Sequence, residues 1–307
     1  SFSIYSKQRL RIMDLLAVIG LIVVIYFLIY LIYPWFLDCD IKLALYEKFG
    51  KPISSLKGNV VWITGASSGI GEHLAYVLAE ANCKLVLSAR REAELEKVKS
   101  KCLQSREIFS CKFFLLLLGM KELLTLSLKN LENQRATWES IDLQVDREMF
   151  ELNVFSQVSL SRLVAKYFFK VGKGHFVITS SFAGLTSIPF SATYSGSKHA
   201  LHLDKNIPLT IVCPGPIQTN FLSQAFTEKQ GEKYGEETKQ SQRKVSANRC
   251  ATLMAIAIAN KLRDAWIAHS LPLQVLYLVN YYPNLGITLS KVLKNIHRSG
   301  SLVIVPN

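Results

Sequence analysis

Tyr194 and Lys198 stand four residues apart in Tyr194-Ser195-Gly196-Ser197-Lys198, and Ser181 lies thirteen residues before the tyrosine. On a helix, residues at i and i+4 share a face. An ammonium so placed can lower a phenol's pKa towards neutrality, which lets it act as general acid or base at a carbonyl or carbinol oxygen. The Ser181 hydroxyl can hold the same oxygen. A second set, Thr64-Gly65-Ala66-Ser67-Ser68-Gly69-Ile70-Gly71, spaces its glycines for close backbone approach to a pyrophosphate at a helix N-terminus. Further on, Ala89-Arg90-Arg91 occupies the place where a carboxylate would hold a ribose 2′-hydroxyl. With no carboxylate to repel a 2′-phosphate, a guanidinium can clasp one through paired hydrogen bonds. Arg90 is favoured because it comes first, with Arg91 beside it. NADP(H) is therefore expected ahead of NAD(H); the alternative is that these arginines cap the acidic helix that follows.

The surrounding pattern supplies the elements that must position these groups. Asn59–Thr64 reads as an apolar strand, the glycine turn follows, and a helix is expected over Glu72–Ala81. Lys84–Ala89 reads as a second strand and Arg91–Leu103 as a charged amphipathic helix. This order is a βαβ unit, the signature of an α/β protein with a Rossmann-like, doubly wound parallel sheet. Further elements are a long helix over Asp146–Phe169, strands over His175–Thr179 and Leu209–Cys213, and a helix over Ala247–Leu262 capped by Ser246. Residues 221–245 are polar and glycine-bearing, and read as mobile. The apolar stretch Leu271–Val292, with Tyr277, Tyr281 and Tyr282, could close a greasy pocket, lie against a membrane or form ordinary core.

Half of the 307 residues are hydrophobic (50%) and mean hydropathy is +0.21, with much of that excess in Leu15–Tyr33. Those 19 residues carry no charge and as a helix would reach ~28 Å, close to the ~30 Å bilayer core. Tyr30, Tyr33, Pro34 and Trp35 end the run as an interfacial belt rather than a cleavage site. The expected organisation is one transmembrane anchor over 1–35, a polar connector over 36–57, the Rossmann-type domain over 58–270 and an apolar, basic tail over 271–307. Lys7, Arg9 and Arg11 precede the span while Asp38 and Asp40 follow it, which places the large domain in the lumen. The net charge of +13 is scattered, which suits membrane lipid headgroups better than nucleic acid. The six cysteines, Cys39, Cys83, Cys102, Cys111, Cys213 and Cys250, have no metal-binding spacing; a lumenal domain could oxidise some of them in pairings the sequence does not give, and otherwise they read as buried thiols.

TGASSGIG, the Ser181/Tyr194/Lys198 set and Pro214-Gly215 together resemble the short-chain dehydrogenase/reductase family. VVWITGASSGIGE, KLVLSARR, SIPFSATYSGSKHAL and CPGPIQTN are similar to its membrane-anchored dehydrogenase/reductase member 7 group, akin in layout to the microsomal 11β-hydroxysteroid dehydrogenases. The resemblance spans roughly residues 50–270. It implies that Tyr194 is the catalytic acid/base, that Lys198 also holds the nicotinamide ribose, and that Asn153 completes a proton-relay tetrad. It also implies that Pro214, Gly215 and Thr219 bind cofactor, Thr219 at the carboxamide, and that substrates are lipophilic carbonyls or alcohols of steroid, retinoid or quinone type. An endoplasmic reticulum membrane setting follows from the same likeness.

Two departures qualify it. The family's acidic strand-end motif and Asn-Asn-Ala-Gly turn are missing between Cys102 and Thr137, where only the run Phe113–Met120 offers a buried strand. After Leu201, His202–Asn206 leads almost directly into the next strand, which leaves the Tyr194 helix about ten residues, or ~15 Å. That shortening weakens any homodimer built on this helix. The rival expectation is a catalytically impaired isoform, or a Rossmann-like scaffold that binds without turnover.

Overall fold

The computed structural model describes residues 2–103, 109–110, 136, 140–186, 188, 190–200, 207–219, 221, 225–229, 232, 235, 244–286 and 288. Helix α1 (Phe2–Ile32) leads through a 3-10 turn (Tyr33–Phe36) to α2 (Ile41–Phe49). Then come β1 (Val60–Thr64), α3 (Gly69–Glu80), β2 (Lys84–Ser88), α4 (Glu92–Leu103) and β3 (Phe109–Ser110). Helices α5 (Leu143–Phe150) and α6 (Ser156–Val171) form one rod interrupted by a π-helical turn (Glu151–Phe155). The chain continues as β4 (Phe176–Thr179), α7 (Ala192–His199), β5 (Leu209–Pro214), β6 (Ile217–Gln218), β7 (Val245–Ser246), α8 (Ala247–Ala259), β8 (Asp264–Ile267) and α9 (Ser270–Tyr281).

All strand pairs joined by ladders are parallel, as the βαβ order requires. Val60 pairs with Lys84 and Thr64 with Ser88, while β2 pairs onward with β3. A second sheet runs β4-β5-β8, and β6 pairs with β7. Among the described residues the sheet thus forms as two three-stranded halves rather than one continuous sheet. The strand expected over Phe113–Met120 lies outside the described residues, as do Lys121–Asn133 and His202–Asn206.

The halves share a core. On α3, Leu74, Ala75, Leu78 and Ala79 form the buried stripe of an amphipathic helix. Helix α8 packs on α3 and buries residues all round from Leu253 to Ala259, as a helix covered on several sides must. Ser246 caps it, accepting a hydrogen bond from the Arg249 backbone N–H at 3.2 Å. Burying Leu253, Met254, Ile256 and Ile258 contributes about 1.5–3 kcal/mol each. This cluster joins Ile63 and Leu85 of one half to Val212, Ala265 and Ile267 of the other.

Residues 36–57, expected as a connector, are part of the domain. Cys39, Leu43, Ala44 and Leu56 lie in that same core. Cys39 bridges antiparallel to Ile267, the Asp40 N–H donates to the Trp266 carbonyl at 2.9 Å, and the Ala268 N–H donates to the Asp38 carbonyl at 3.0 Å. The aspartates that gave this stretch a solvated look are engaged: Asp40 accepts from the backbone N–H of Leu43 (2.9 Å) and of Trp266 (2.8 Å). Asp38 and Glu47 both grip the Arg249 guanidinium, at 2.7 and 3.0 Å for Asp38 and 2.9 Å for the Glu47 Oε2 contact. The boundary expected at 270/271 falls inside α9, whose Leu273 and Leu276 are buried against Phe182, Ile211 and Cys213.

The span expected over Leu15–Tyr33 falls on α1 up to Ile32, with Tyr33 opening the 3-10 turn, and the residues from Met13 to Ile29 are all exposed. Among the described residues no helix is long and apolar enough to cross a membrane. Cys39, Cys83, Cys102, Cys213 and Cys250 are buried free thiols; Cys111 lies outside the described residues. Most of 221–245 and the tail beyond Thr288 also lie outside them.

Candidate active site

The glycine turn is held by backbone geometry that side chains would oppose. Gly65 has φ +73° and Gly69 has φ +61°, in the left-handed region, and the Gly65 N–H donates to the Ser88 carbonyl at 2.8 Å, locking the turn to β2. A Cβ on Gly71 would stand 2.5 Å from the Gly65 carbonyl oxygen, so only glycine lets α3 start this close to the turn. Ser68 is the N-cap residue yet makes no side-chain cap bond, which leaves the first N–H groups of a twelve-residue helix facing the turn as anion donors. Thr64, Gly65 and Ser68 are exposed, Gly69, Ile70 and Gly71 half-buried, and Ser67 buried. Arg91 donates to Ser67 Oγ at 3.3 Å and to Ser68 Oγ at 2.5 Å. The sequence favours Arg90 as the phosphate partner; both arginines are exposed, and it is Arg91 that the structure bonds to the turn. Close backbone approach and open N–H donors together fit a dinucleotide pyrophosphate.

Thr219 closes the other side. A Cβ on Gly69 would lie 3.3 Å from Thr219 Cγ2, so the segment leaving β5 meets the glycine turn although 150 residues of chain separate them. Pro214 ends β5, and Gly215 next to it passes so near β8 and the Phe182–Gly184 turn that its Cβ would meet Ala268 Cβ at 2.7 Å and the Phe182 ring at 3.2 Å.

Ser181, Tyr194 and Lys198 meet beyond the end of β4. Ser181 caps the turn Phe182–Gly184, accepting from the Ala183 N–H at 3.2 Å, and its side chain is near enough to the Tyr194 phenol to favour the phenolate slightly. Lys198 Nζ donates to the Thr179 carbonyl at 3.3 Å and lies 5.7 Å from the Tyr194 ring centroid. Both are buried. The expectation that the ammonium draws the phenol towards neutrality is not met: burial pushes Tyr194 up to about 12, against a smaller downward pull from Ser181. Burial also brings Lys198 down to about 8. The phenol therefore holds its proton at neutral pH, the state of a general acid.

Asn153 sits in the π turn, fully buried, a helical irregularity frequent at functional sites. Its Nδ2 donates to Ser197 Oγ at 3.1 Å and contacts Met149 Sδ at 3.0 Å. Sequence reasoning missed Asp146, Ser180, Thr193 and Ser197, which hold the same helix. The available signal was the pairing of Thr193 and Tyr194 with Ser197 and Lys198, two adjacent pairs one turn apart that make a polar face on a helix otherwise short of apolar residues.

The arrangement is that of a Rossmann-type oxidoreductase, with a nucleotide turn after β1 and a Ser-Tyr-Lys centre after β4. The family profile for short chain dehydrogenases matches residues 59–115 and 131–230. Human dehydrogenase/reductase SDR family member 7 is 35% identical over 275 residues, which is 80% of this chain and 81% of that protein. Two solved structures share the fold at 20% identity. A Burkholderia phymatum short chain dehydrogenase/reductase in complex with NAD has a TM-score of 0.59 and aligns over 75% of this chain and 96% of its own. A Thermococcus sibiricus alcohol dehydrogenase complexed with 5-hydroxy-NADP has a TM-score of 0.55 and aligns over 69% and 97%. The chain belongs to the short-chain dehydrogenase/reductase family, and within it is similar to the member 7 proteins.

Proposed function

We propose that the chain is an NADP(H)-dependent oxidoreductase that reduces lipophilic ketones or aldehydes, of steroid, retinoid or quinone type, at the endoplasmic reticulum membrane. The observation that supports this reading is the buried grouping of Ser181, Tyr194 and Lys198, in a chain whose glycine turn is met by Thr219 from beyond β5. A bound nicotinamide cofactor supplies the hydride chemistry. The backbone N–H groups opening α3 hold its pyrophosphate, Arg91 with Arg90 its 2′-phosphate, and Thr219 its carboxamide. Ser181 and Tyr194 hold the substrate oxygen. Tyr194, protonated at neutral pH, gives its proton to that oxygen as negative charge develops there, and Lys198 stabilises the phenolate left behind. The lack of a carboxylate in Ala89-Arg90-Arg91 after β2 and the guanidinium of Arg91 at the turn favour the phosphorylated cofactor.

The membrane setting is supported by the uncharged run Leu15–Tyr33 and by the exposure of every side chain from Met13 to Ile29. A lumenal domain agrees with the charges that flank the run.

Fluorescence titration of the full chain with NADPH and NADH, then a panel of lipophilic carbonyls, tests the catalytic reading. Tighter NADPH binding with carbonyl-dependent consumption is expected. Binding without consumption would replace it with a scaffold role. Flotation with phospholipid vesicles, resistant to alkaline carbonate, tests the anchor separately; release into the soluble fraction would overturn that part alone.

A further inference from the structure

Helix α7 carries Tyr194 and Lys198 on only eight residues, Ala192–His199, about 12 Å of helix. Helices this short are marginal by themselves, and Ser191 at its N-terminus gives no side-chain cap bond. Its register must come from neighbours. Three different elements supply it. From α5, Asp146 Oδ1 accepts from Thr193 Oγ1 at 2.5 Å. From the π turn, Asn153 Nδ2 donates to Ser197 Oγ at 3.1 Å, and Ser197 in turn donates to the Tyr194 carbonyl at 2.7 Å. From the end of β4, Ser180 Oγ donates to the Lys198 carbonyl at 3.1 Å. Gly184 lets that strand end come close: a Cβ there would meet Ser180 Oγ at 2.4 Å and the Lys198 carbonyl at 2.9 Å.

These bonds are attached beside the reacting groups. Thr193 adjoins Tyr194, Ser197 adjoins Lys198, and Asn153 and Ser197 are both fully buried, where neither polar group can turn to water. We propose that Ser197 and Thr193 are positioning residues for the reaction, fixing Tyr194 and Lys198 in register through Asn153 and Asp146 respectively. The proposal rests on the oxidoreductase reading above. It also gives Asn153 a role through Ser197, at the hinge between the π turn and the catalytic helix.

The test uses the full chain with Ser197→Ala, Thr193→Val and the hydroxyl-retaining Thr193→Ser. Hydrogen–deuterium exchange over 192–199 is read alongside NADPH binding and the pH profile of carbonyl reduction. Ser197→Ala and Thr193→Val should each lower kcat on the order of 10- to 100-fold, the scale of small misplacements of reacting groups. They should shift the alkaline limb of the pH profile, change the NADPH Kd far less than kcat and raise exchange in α7 alone. Thr193→Ser should restore both readouts. Unchanged kcat and exchange would overturn the proposal. So would a loss of kcat accompanied by raised exchange throughout α3 and α8, the mark of general destabilisation. If the unaltered chain reduces no carbonyl, the oxidoreductase reading is what fails; exchange raised only in α7 then still upholds the clamp, and unchanged exchange sinks it.

Discussion

Replacing Gly71 by alanine strikes the nucleotide turn where its geometry is tightest. The added Cβ would stand 2.5 Å from the Gly65 carbonyl oxygen and 3.1 Å from its carbon. Both are backbone atoms, so no flexible side chain can move away. Gly65 cannot swing clear either, because its N–H is bonded to Ser88 at 2.8 Å. Opening the contact from 2.5 Å to even 3.0 Å means moving the start of α3 by at least 0.5 Å. Overpacking of this kind costs about 1–3 kcal/mol. A dinucleotide needs the undistorted turn, so the same energy should emerge as a roughly 5- to 150-fold weaker NADPH Kd. Gly58→Ala is the control: Gly58 has φ +79° with open space around its Cβ position, so alanine there carries only the left-handed penalty of about 1–2 kcal/mol. Both variants should unfold at lower denaturant concentration, but only Gly71→Ala should lose NADPH affinity by fluorescence titration. A Gly71→Ala protein with wild-type affinity and stability would refute the close approach of α3 to the turn.

Other expectations follow from the charges. Lys198, brought down to about 8 by burial, loses its proton as pH rises through that value. The kcat/KM for carbonyl reduction should fall on the alkaline side with an apparent pKa near it, and a rate profile flat to pH 10 would contradict the role given to the ammonium. His175 is held below its usual 6.5 chiefly by burial and bonded to Thr210 at 2.9 Å, so folding favours its neutral form. A histidine lowered in the folded state gives stability that is complete above about pH 6.5 and lost as pH falls. Urea titrations between pH 7 and 5 should therefore show a smaller acid loss in His175→Gln than in the parent. Arg249→Lys should lower stability by about 1–2 kcal/mol, discounted for partial exposure, because an ammonium cannot replace the fork that grips Asp38 and Glu47 together; an unchanged urea midpoint would show the clasp to be idle.

The turn from Thr64 to Gly71 and the Tyr194–Lys198 pair were legible because their physics is local: a φ above zero, an uncapped helix start, one helical turn between two side chains. The strands and helices that flank them were legible for the same reason, to within a few residues. Residues 36–57 were misread because Asp38 and Asp40 find their partners in Arg249 and Trp266, over 200 residues away, and a charge run gives no hint of a distant guanidinium or backbone N–H. The π turn around Asn153 was hidden within what scans as one continuous helix. The phenol's elevated pKa was missed because spacing reports who is near Tyr194 but not how completely water is excluded from it.

Replacing Tyr194 by phenylalanine addresses the central claim most directly, since it removes one hydroxyl from a buried ring and little else. NADPH binding and NADPH consumption with a lipophilic carbonyl are measured on the full chain and on Tyr194→Phe. The account predicts equal NADPH affinity with consumption abolished in the variant. Consumption at an unchanged kcat would remove Tyr194 from the chemistry and contradict the account.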